Sequence, residues 1–384
     1  MSLKVEVAVS QINKAGEELC GDVVEVVKGE STVVVLSDGL GSGVKAHILS
    51  SLTAKMAATM LTGGIPLDEV IECFAKTLPL DEVRNLAYST FSILSVDSQN
   101  RAHLVEYDNP PVFYGRGNSL LTLTREKREY SGRTVYESNF NLQDGDWLVM
   151  VSDGVLHAGI GGVWNLGWGW DRVADYLKRV APHEEDAYSL AMGLEETTRK
   201  LYAGSPGDDV SIVAIKVRNP RLLTVLAGPP TKRRDDKAIV KEFMSYPGKK
   251  AVCGGTTSIM LARELGKEVK VNLGSLQSGA PPTGIIDGID LVTEGILTLS
   301  KSAEILGDGH RPTRHQFRYS SDGPGRLVDM LLEADHIRFM VGRAINPAHQ
   351  SPSLPMSLSL KSKVVEDLAK ALRSFGKRVD LRLF

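Results

Sequence analysis

Cysteine is scarce in this chain: Cys20, Cys73 and Cys253 are the only three among 384 residues. An odd number at wide spacing excludes a disulfide framework and fits a reducing, cytoplasmic compartment. Net charge is almost absent too. With 45 Lys and Arg against 47 Asp and Glu, the formal balance of -2 leaves no global field to select nucleic acid or a membrane surface. Long apolar runs are missing, since no stretch approaches the roughly 20 residues needed to span a bilayer. The opening "MSLKVEVAVSQINKAG" has neither the basic nor the apolar region of a signal peptide and alternates like a half-buried strand. No internal repeat or low-complexity tract is visible. Partners must therefore be sought at local sites.

What is present is ordinary globular composition, 42% hydrophobic and 24% charged, over a length that suits two domains. The first stretch is strand-rich, with "KVEVAVS", "VVEVVKG" and "STVVVLSD" followed by helical patterns at about 44–61 and 67–77. Strand-like "YSTFSILSVD", "RAHLVEYD", "PPVFYGRG" and "GDWLVMVSDG" come next, then helical patterns near 171–180 and 184–203, and "DDVSIVAIKV". Successive strands with helices grouped in pairs predict an α+β sandwich over 1–218. After "RNPR" the rhythm becomes strand and helix in alternation, with "LLTVLAG", "KKAVCGG", "KVNLGS", "DLVTEG", "HIRFMVGRA" and "RVDLRLF". That predicts a small Rossmann-like α/β domain with a parallel sheet over 222–384, with helices near 257–265, 295–306, 325–333 and 361–374.

One stretch raises a chemical question. "VVVLSDGLGSGVKAH" sets Asp38 where an apolar strand ends and a glycine-rich turn leads into a helix. A type I′ hairpin would need a second strand at once, and none follows. A dinucleotide loop would set Asp38 against a pyrophosphate of like charge, and the glycine spacing is wrong. Three other places repeat the pattern of an aspartate beside glycine at the edge of an apolar run. These are Asp22 in "ELCGDVVEVV", Asp153 in "LVMVSDGV", and Asp208 with Asp209 in "GSPGDDVSIVAI". Carboxylates gathered without lysine or arginine repel one another unless divalent cations neutralise them. Oxygen ligands suit Mg2+ or Mn2+. Two such ions about 3.5–4 Å apart activate water for attack at phosphorus.

The ordered segments "CGD", "VLSDGLGSGVKAH", "LQDGDWLVMVSDGV" and "GDDVSIVAIKV" resemble the metal-dependent 2C-type (PPM) serine/threonine protein phosphatases, in particular the bacterial SpoIIE-like branch. The resemblance covers about residues 1–218 and implies a β-sandwich flanked by helices. It further implies that Asp38 bridges two cations, that the Gly39 carbonyl reaches one of them, and that Asp22 completes their shared coordination. Asp153 and Asp208 would hold the other ion, with Asp209 the second choice to Asp208. Catalysis would run through metal-bound water held by Asp22, Asp38 and Asp153. Lys14 resembles a lysine before the first aspartate in SpoIIE-like sequences and is a candidate contact for the substrate phosphate, with a solvated surface lysine the reading ahead of it. Leu40 stands where eukaryotic relatives carry histidine, so no general acid is identified. His47 and His157 read as packed or exposed side chains rather than catalytic ones. The implied substrates are phosphoproteins, typically STAS-type anti-anti-sigma regulators in sporulation or stress signalling, and the helices near 44–61 and 67–77 match a pair implicated in switching.

The second domain resembles no family closely. "CGGTTS" offers Gly254, Gly255, Thr256 and Thr257 to a small anionic ligand at a helix start, where the same hydroxyls serve equally as caps. Glu294 in "TEG" is a further ligand candidate. Arg311, Arg314, His315 and Arg318 make a locally basic stretch, read as a solvated loop ahead of a phosphate contact. A rival reading makes the first domain an inactive phosphatase-like scaffold, with the second domain as the working part.

Overall fold

A computed structural model describes residues 3–29, 31–77, 80–81, 86–87, 89–130, 133–162, 164–271, 283–307, 312, 314–344 and 360–384. The chain divides into two compact units, Met1–Asn219 and Pro220–Phe384.

Two antiparallel sheets face each other in the first unit. Lys4–Ile12, Val210–Arg218, Asp146–Val151, Phe113–Arg116 and Ser119–Leu120 lie in that order across one sheet; Glu126–Tyr130, Arg133–Asn141, Arg101–Tyr107, Ser89–Val96, Thr32–Gly39 and Val23–Lys28 make the other. The strand period of two explains how a strand with no polar face fits here. Val34 and Leu36 point inward to meet Met150, Val213 and Ile215 of the opposite sheet. Val33 and Val35 point outward against Ala54, Ala57, Val70 and Phe74 of helices Gly43–Thr62 and Leu67–Thr77. The other sheet does the same, with Val149, Val151 and Ile212 packed against Val173, Leu177, Leu190 and Leu194 of helices Trp170–Val180 and Ala187–Leu201. The result is a four-layer α-β-β-α sandwich, the α+β class read from the chain.

The second unit is a sheet with helices on both faces. Leu222–Ala227 is central, with Lys249–Cys253 and Leu291–Thr293 on one side and His336–Val341 and Arg378–Leu383 on the other, all parallel. Two features depart from the sequence reading. Lys270–Val271 and Gly284–Ile285 extend the edge in antiparallel fashion, so the sheet is mixed rather than parallel throughout. Helix Asp236–Ser245 also fills the first crossover. It buries Ile239, Val240 and Phe243 together with Asp236, while Lys237 and Lys241 on its other side are exposed.

Candidate metal centre

Antiparallel register explains why the aspartates meet. Val23 pairs with Ser37, so Asp22, one residue before its strand, falls opposite Asp38 at the end of the neighbouring strand. In the other sheet Val151 pairs with Ile212, which brings Asp153, just past one strand, beside Asp208 and Asp209, just before the other. Ile12 pairs with Val210, so the chain leaving the first strand passes Asp209, and the Lys14 amide donates to Asp209 Oδ1 at 2.9 Å.

Two glycines make this closeness sterically feasible. A Cβ on Gly39 would sit 2.2 Å from the Ala46 carbonyl oxygen, and one on Gly154 would sit 2.0 Å from the Asp209 carbonyl oxygen. The glycine after each aspartate therefore lets the next backbone approach the site.

The site is electrostatically expensive. Asp22 is 2% exposed, and its Oδ2 and that of Asp209 are buried with no hydrogen-bond partner. Burial pushes Asp22 up to about 6, against the opposing pull of the Ser152 and Ser211 hydroxyls. Burial, then the charges of Asp22 and Asp153, push Asp38 up to about 9. Asp153 is raised by burial and by Asp208, while His157 pulls the other way. Among the described residues, no lysine or arginine forms an ion pair with Asp22, Asp38, Asp153, Asp208 or Asp209. A buried orphaned oxygen costs about 1–3 kcal/mol, more when charged. Two of them within a cluster of unpaired carboxylates suit a divalent cation, and the all-oxygen donors Asp22, Asp38, Asp208 and Asp209 suit a hard one.

Asp208 and Asp209 go different ways. Asp208 joins Asp153 and His157, with one ligand atom from each lying within 4.8 Å of the others. Asp209 turns to the Lys14 amide and towards Asp22, whose carboxyl it raises. His47 is packed, its Nδ1 donating to the Cys20 carbonyl at 2.8 Å. His157 is exposed, as one of its two expected settings had it, and it also lies beside Asp153 and Asp208. The signal for it was its place four residues after Asp153, one turn along helix Asp153–His157.

Two further residues escaped sequence reasoning. Asn109 Nδ2 donates to Ser92 Oγ at 2.8 Å and to the Val151 carbonyl at 3.3 Å, tying the two sheets together just behind Asp153. The Tyr202 hydroxyl donates to the Gly154 carbonyl at 2.7 Å, and its phenol is raised by burial and by Asp208 and Asp153.

The family model for Stage II sporulation protein E (SpoIIE) matches residues 28–218. The curated Stage II sporulation protein E of Bacillus subtilis is 25% identical over 225 residues, covering 56% of this chain and 26% of the relative. Its counterpart from Priestia megaterium is 25% identical over the same length, covering 56% of this chain and 37% of the relative. The first unit is a SpoIIE-type PP2C phosphatase domain. A solved PP2C phosphatase domain with a fragment of the regulatory domain of SpoIIE from Bacillus subtilis is 23% identical, with a TM-score of 0.48, covering 56% of this chain and 63% of that one. The chain thus matches between a quarter and two fifths of the length of these curated relatives, through its SpoIIE-type domain.

In the second unit, the candidate ligand residues lie at the carboxyl edge of the sheet. Gly254 precedes helix Gly255–Leu265, and its Cα lies 3.4 Å from where a Cβ on Gly295 would stand. Thr256 and Glu294 are exposed, but Thr257 is 1% exposed and its Oγ1 accepts from the Gly228 amide at 3.0 Å. The reversal of strand order falls one strand away, between the loops after Ala227 and Val341, where Lys361 Nζ donates to the Gly342 carbonyl at 2.7 Å. Arg314 is structural, pairing with Asp329 at 2.9 Å and Glu333 at 3.3 Å. Arg318 lies 6.0 Å from the centre of the Tyr319 ring. Arg311 and the side chain of His315 lie outside the described residues. Among the described residues, no helix is long and apolar enough to cross a membrane.

Proposed function

We propose that the SpoIIE-type domain hydrolyses phosphoserine or phosphothreonine on a regulatory protein, with two divalent cations, Mn2+ or Mg2+, held by Asp22, Asp38, Asp153 and Asp208 and by the Gly39 carbonyl. The observation that carries this reading is that Asp38 and Asp22 of one sheet feel the charges of Asp153, Asp208 and Asp209 of the other, with two buried oxygens unpartnered. When bound, the cations supply Lewis acidity and a water that is acidic enough to be activated near neutral pH.

The chain's own residues do the positioning. Asp22 and Asp38 stand at strand ends, where the ladder restrains their backbones. Ser152 Oγ accepts from the Ser211 amide at 2.9 Å, and Gln11 Nε2 donates to Ser211 Oγ at 2.9 Å and to the Asp22 carbonyl at 3.2 Å, which stiffens the floor beneath Asp22. Asp209, bound to the Lys14 amide, anchors the segment from which the Lys14 ammonium meets the substrate phosphate. No side-chain nucleophile is required, and Leu40 supplies no proton, so the leaving hydroxyl takes its proton from solvent.

The substrate class that fits is a small cytoplasmic phosphoprotein of STAS type, and the second unit regulates the first by binding a small anionic ligand at its carboxyl edge. The Gly254–Gly255 helix start and the reversal of strand order one strand away support the latter. Mn2+-dependent hydrolysis of p-nitrophenyl phosphate and of a phosphoserine protein by the full chain tests the catalytic reading, with loss of both activities expected in Asp38→Asn and Asp153→Asn. A wild type inactive on both substrates with metal present would instead favour a non-catalytic scaffold.

A further inference from the structure

The metal centre is not chemically uniform. Its deep end, around Asp22 and Asp209, presents carboxylate oxygen from buried side chains. Its outer end adds a nitrogen donor, because Asp153, His157 and Asp208 converge within 4.8 Å. His157 Nδ1 lies 3.7 Å from Asp153 Oδ2, and both side chains are 47% exposed, so the ring has open solvent from which to swing onto an ion. The fold does not otherwise engage it. Among the described residues its ion-pair partner is Asp153, and the ring makes no hydrogen bond. A separation of four residues on Asp153–His157 holds the carboxylate and the imidazole on the same side of one helical turn.

We propose that His157 contributes an imidazole nitrogen to the cation held by Asp153 and Asp208, so that the outer subsite prefers a transition ion such as Mn2+ over Mg2+. The inference rests on the metal-dependent reading above. Mg2+ takes oxygen donors and sheds its waters reluctantly, whereas imidazole is a ligand that transition ions accept readily. The deep end has no such donor and keeps the selectivity of carboxylates alone. The competing role for the ring is a hydrogen-bond partner of Asp153 that never touches the ion.

Electron spin-echo spectroscopy of the full chain loaded with Mn2+ alone separates the two roles, because a directly bound nitrogen modulates the echo of the ion. The expected result is nitrogen modulation in the wild type, its loss in His157→Gln, and retention of bound Mn2+ in that variant. Competition binding should show the preference for Mn2+ over Mg2+ falling roughly tenfold in His157→Gln. Bound Mn2+ without nitrogen modulation in the wild type overturns the proposal and leaves the metal site standing. Modulation that survives in His157→Gln overturns it too. Failure of the wild type to bind Mn2+ at all overturns both this proposal and the reading on which it rests. The wild-type spectrum decides the matter even if the variant folds poorly.

Discussion

The carboxylate cleft of the first unit and the glycine-threonine edge of the second both lie where strands end, yet they treat their polar groups in opposite ways. At the second edge the buried hydroxyls are satisfied internally. Thr257 Oγ1 accepts from Gly228, Ser258 Oγ donates to the Gly255 carbonyl at 2.8 Å, and Thr293 Oγ1 donates to the Glu294 carbonyl at 2.9 Å. In the cleft, Asp22 and Asp209 each keep a buried oxygen without a partner, and their neighbours are carboxylates. Folding has completed one edge and left the other in electrostatic deficit. The deficit marks where a bound cation would add to stability as well as to chemistry.

The sharpest way to break this contrast is Asp38→Asn. It should lower Mn2+-dependent hydrolysis by roughly 10²–10³-fold, the scale of losing a preorganised charged group, and it should leave the second unit unaffected. Steady-state kinetics with p-nitrophenyl phosphate measures the first effect and hydrogen exchange across residues 220–384 the second.

Metal should stabilise one unit only. Mn2+ at a hundred times its dissociation constant adds about 2.7 kcal/mol, and hydrogen exchange should locate the added protection near Asp22, Asp38 and Asp153. The same comparison has a pH signature. Asp38, pushed up to about 9 chiefly by burial, keeps its proton in the folded metal-free protein, whereas the unfolded chain releases it near pH 4. The unfolded state then binds fewer protons, so stability of the metal-free protein falls as pH rises from about 4 towards 9. Melting temperatures in chelator at about pH 5 and about pH 8 test the sign, and saturating Mn2+ should flatten the slope.

For the second edge, Thr257→Val keeps the shape but leaves the Gly228 amide without its acceptor. A loss of about 1–3 kcal/mol confined to the second unit is expected by urea unfolding, with hydrolysis unchanged. The smallest effect belongs to Lys14→Ala, which should raise KM for a phosphoprotein a few-fold, on the order of one exposed charge contact, with kcat nearly constant. An unchanged KM would assign Lys14 to the solvated surface.

Much of the cleft was legible because each aspartate carries its own local mark: an apolar run, a glycine, and the edge between them. Sequence could not state the register that makes Asp22 oppose Asp38, since pairing partners are chosen across the fold. Nor could adjacency separate Asp208 from Asp209, which the strand Val210–Arg218 sends to opposite ends of the site. The exposure of His157 was legible, but its closeness to Asp208 was not, since that depends on a pairing across the sheet. The antiparallel edge strands of the second unit, two residues each, leave no alternation to detect. Helix Asp236–Ser245 was obscured by the polar run "TKRRDDK" that leads into it.

The register that joins Asp22 to Asp38 has a consequence for how the chain tolerates change. Side chains along a strand alternate sides, so a one-residue deletion between Thr32 and Ser37 would turn Asp38 away from Asp22 and exchange the inward Val34 and Leu36 for the outward Val33 and Val35. Conservative swaps among those same valines and leucines would preserve the arrangement. The domain should therefore accept many spellings of this strand and very few lengths, and a library that varies both would show its functional boundary in residue count rather than in residue type.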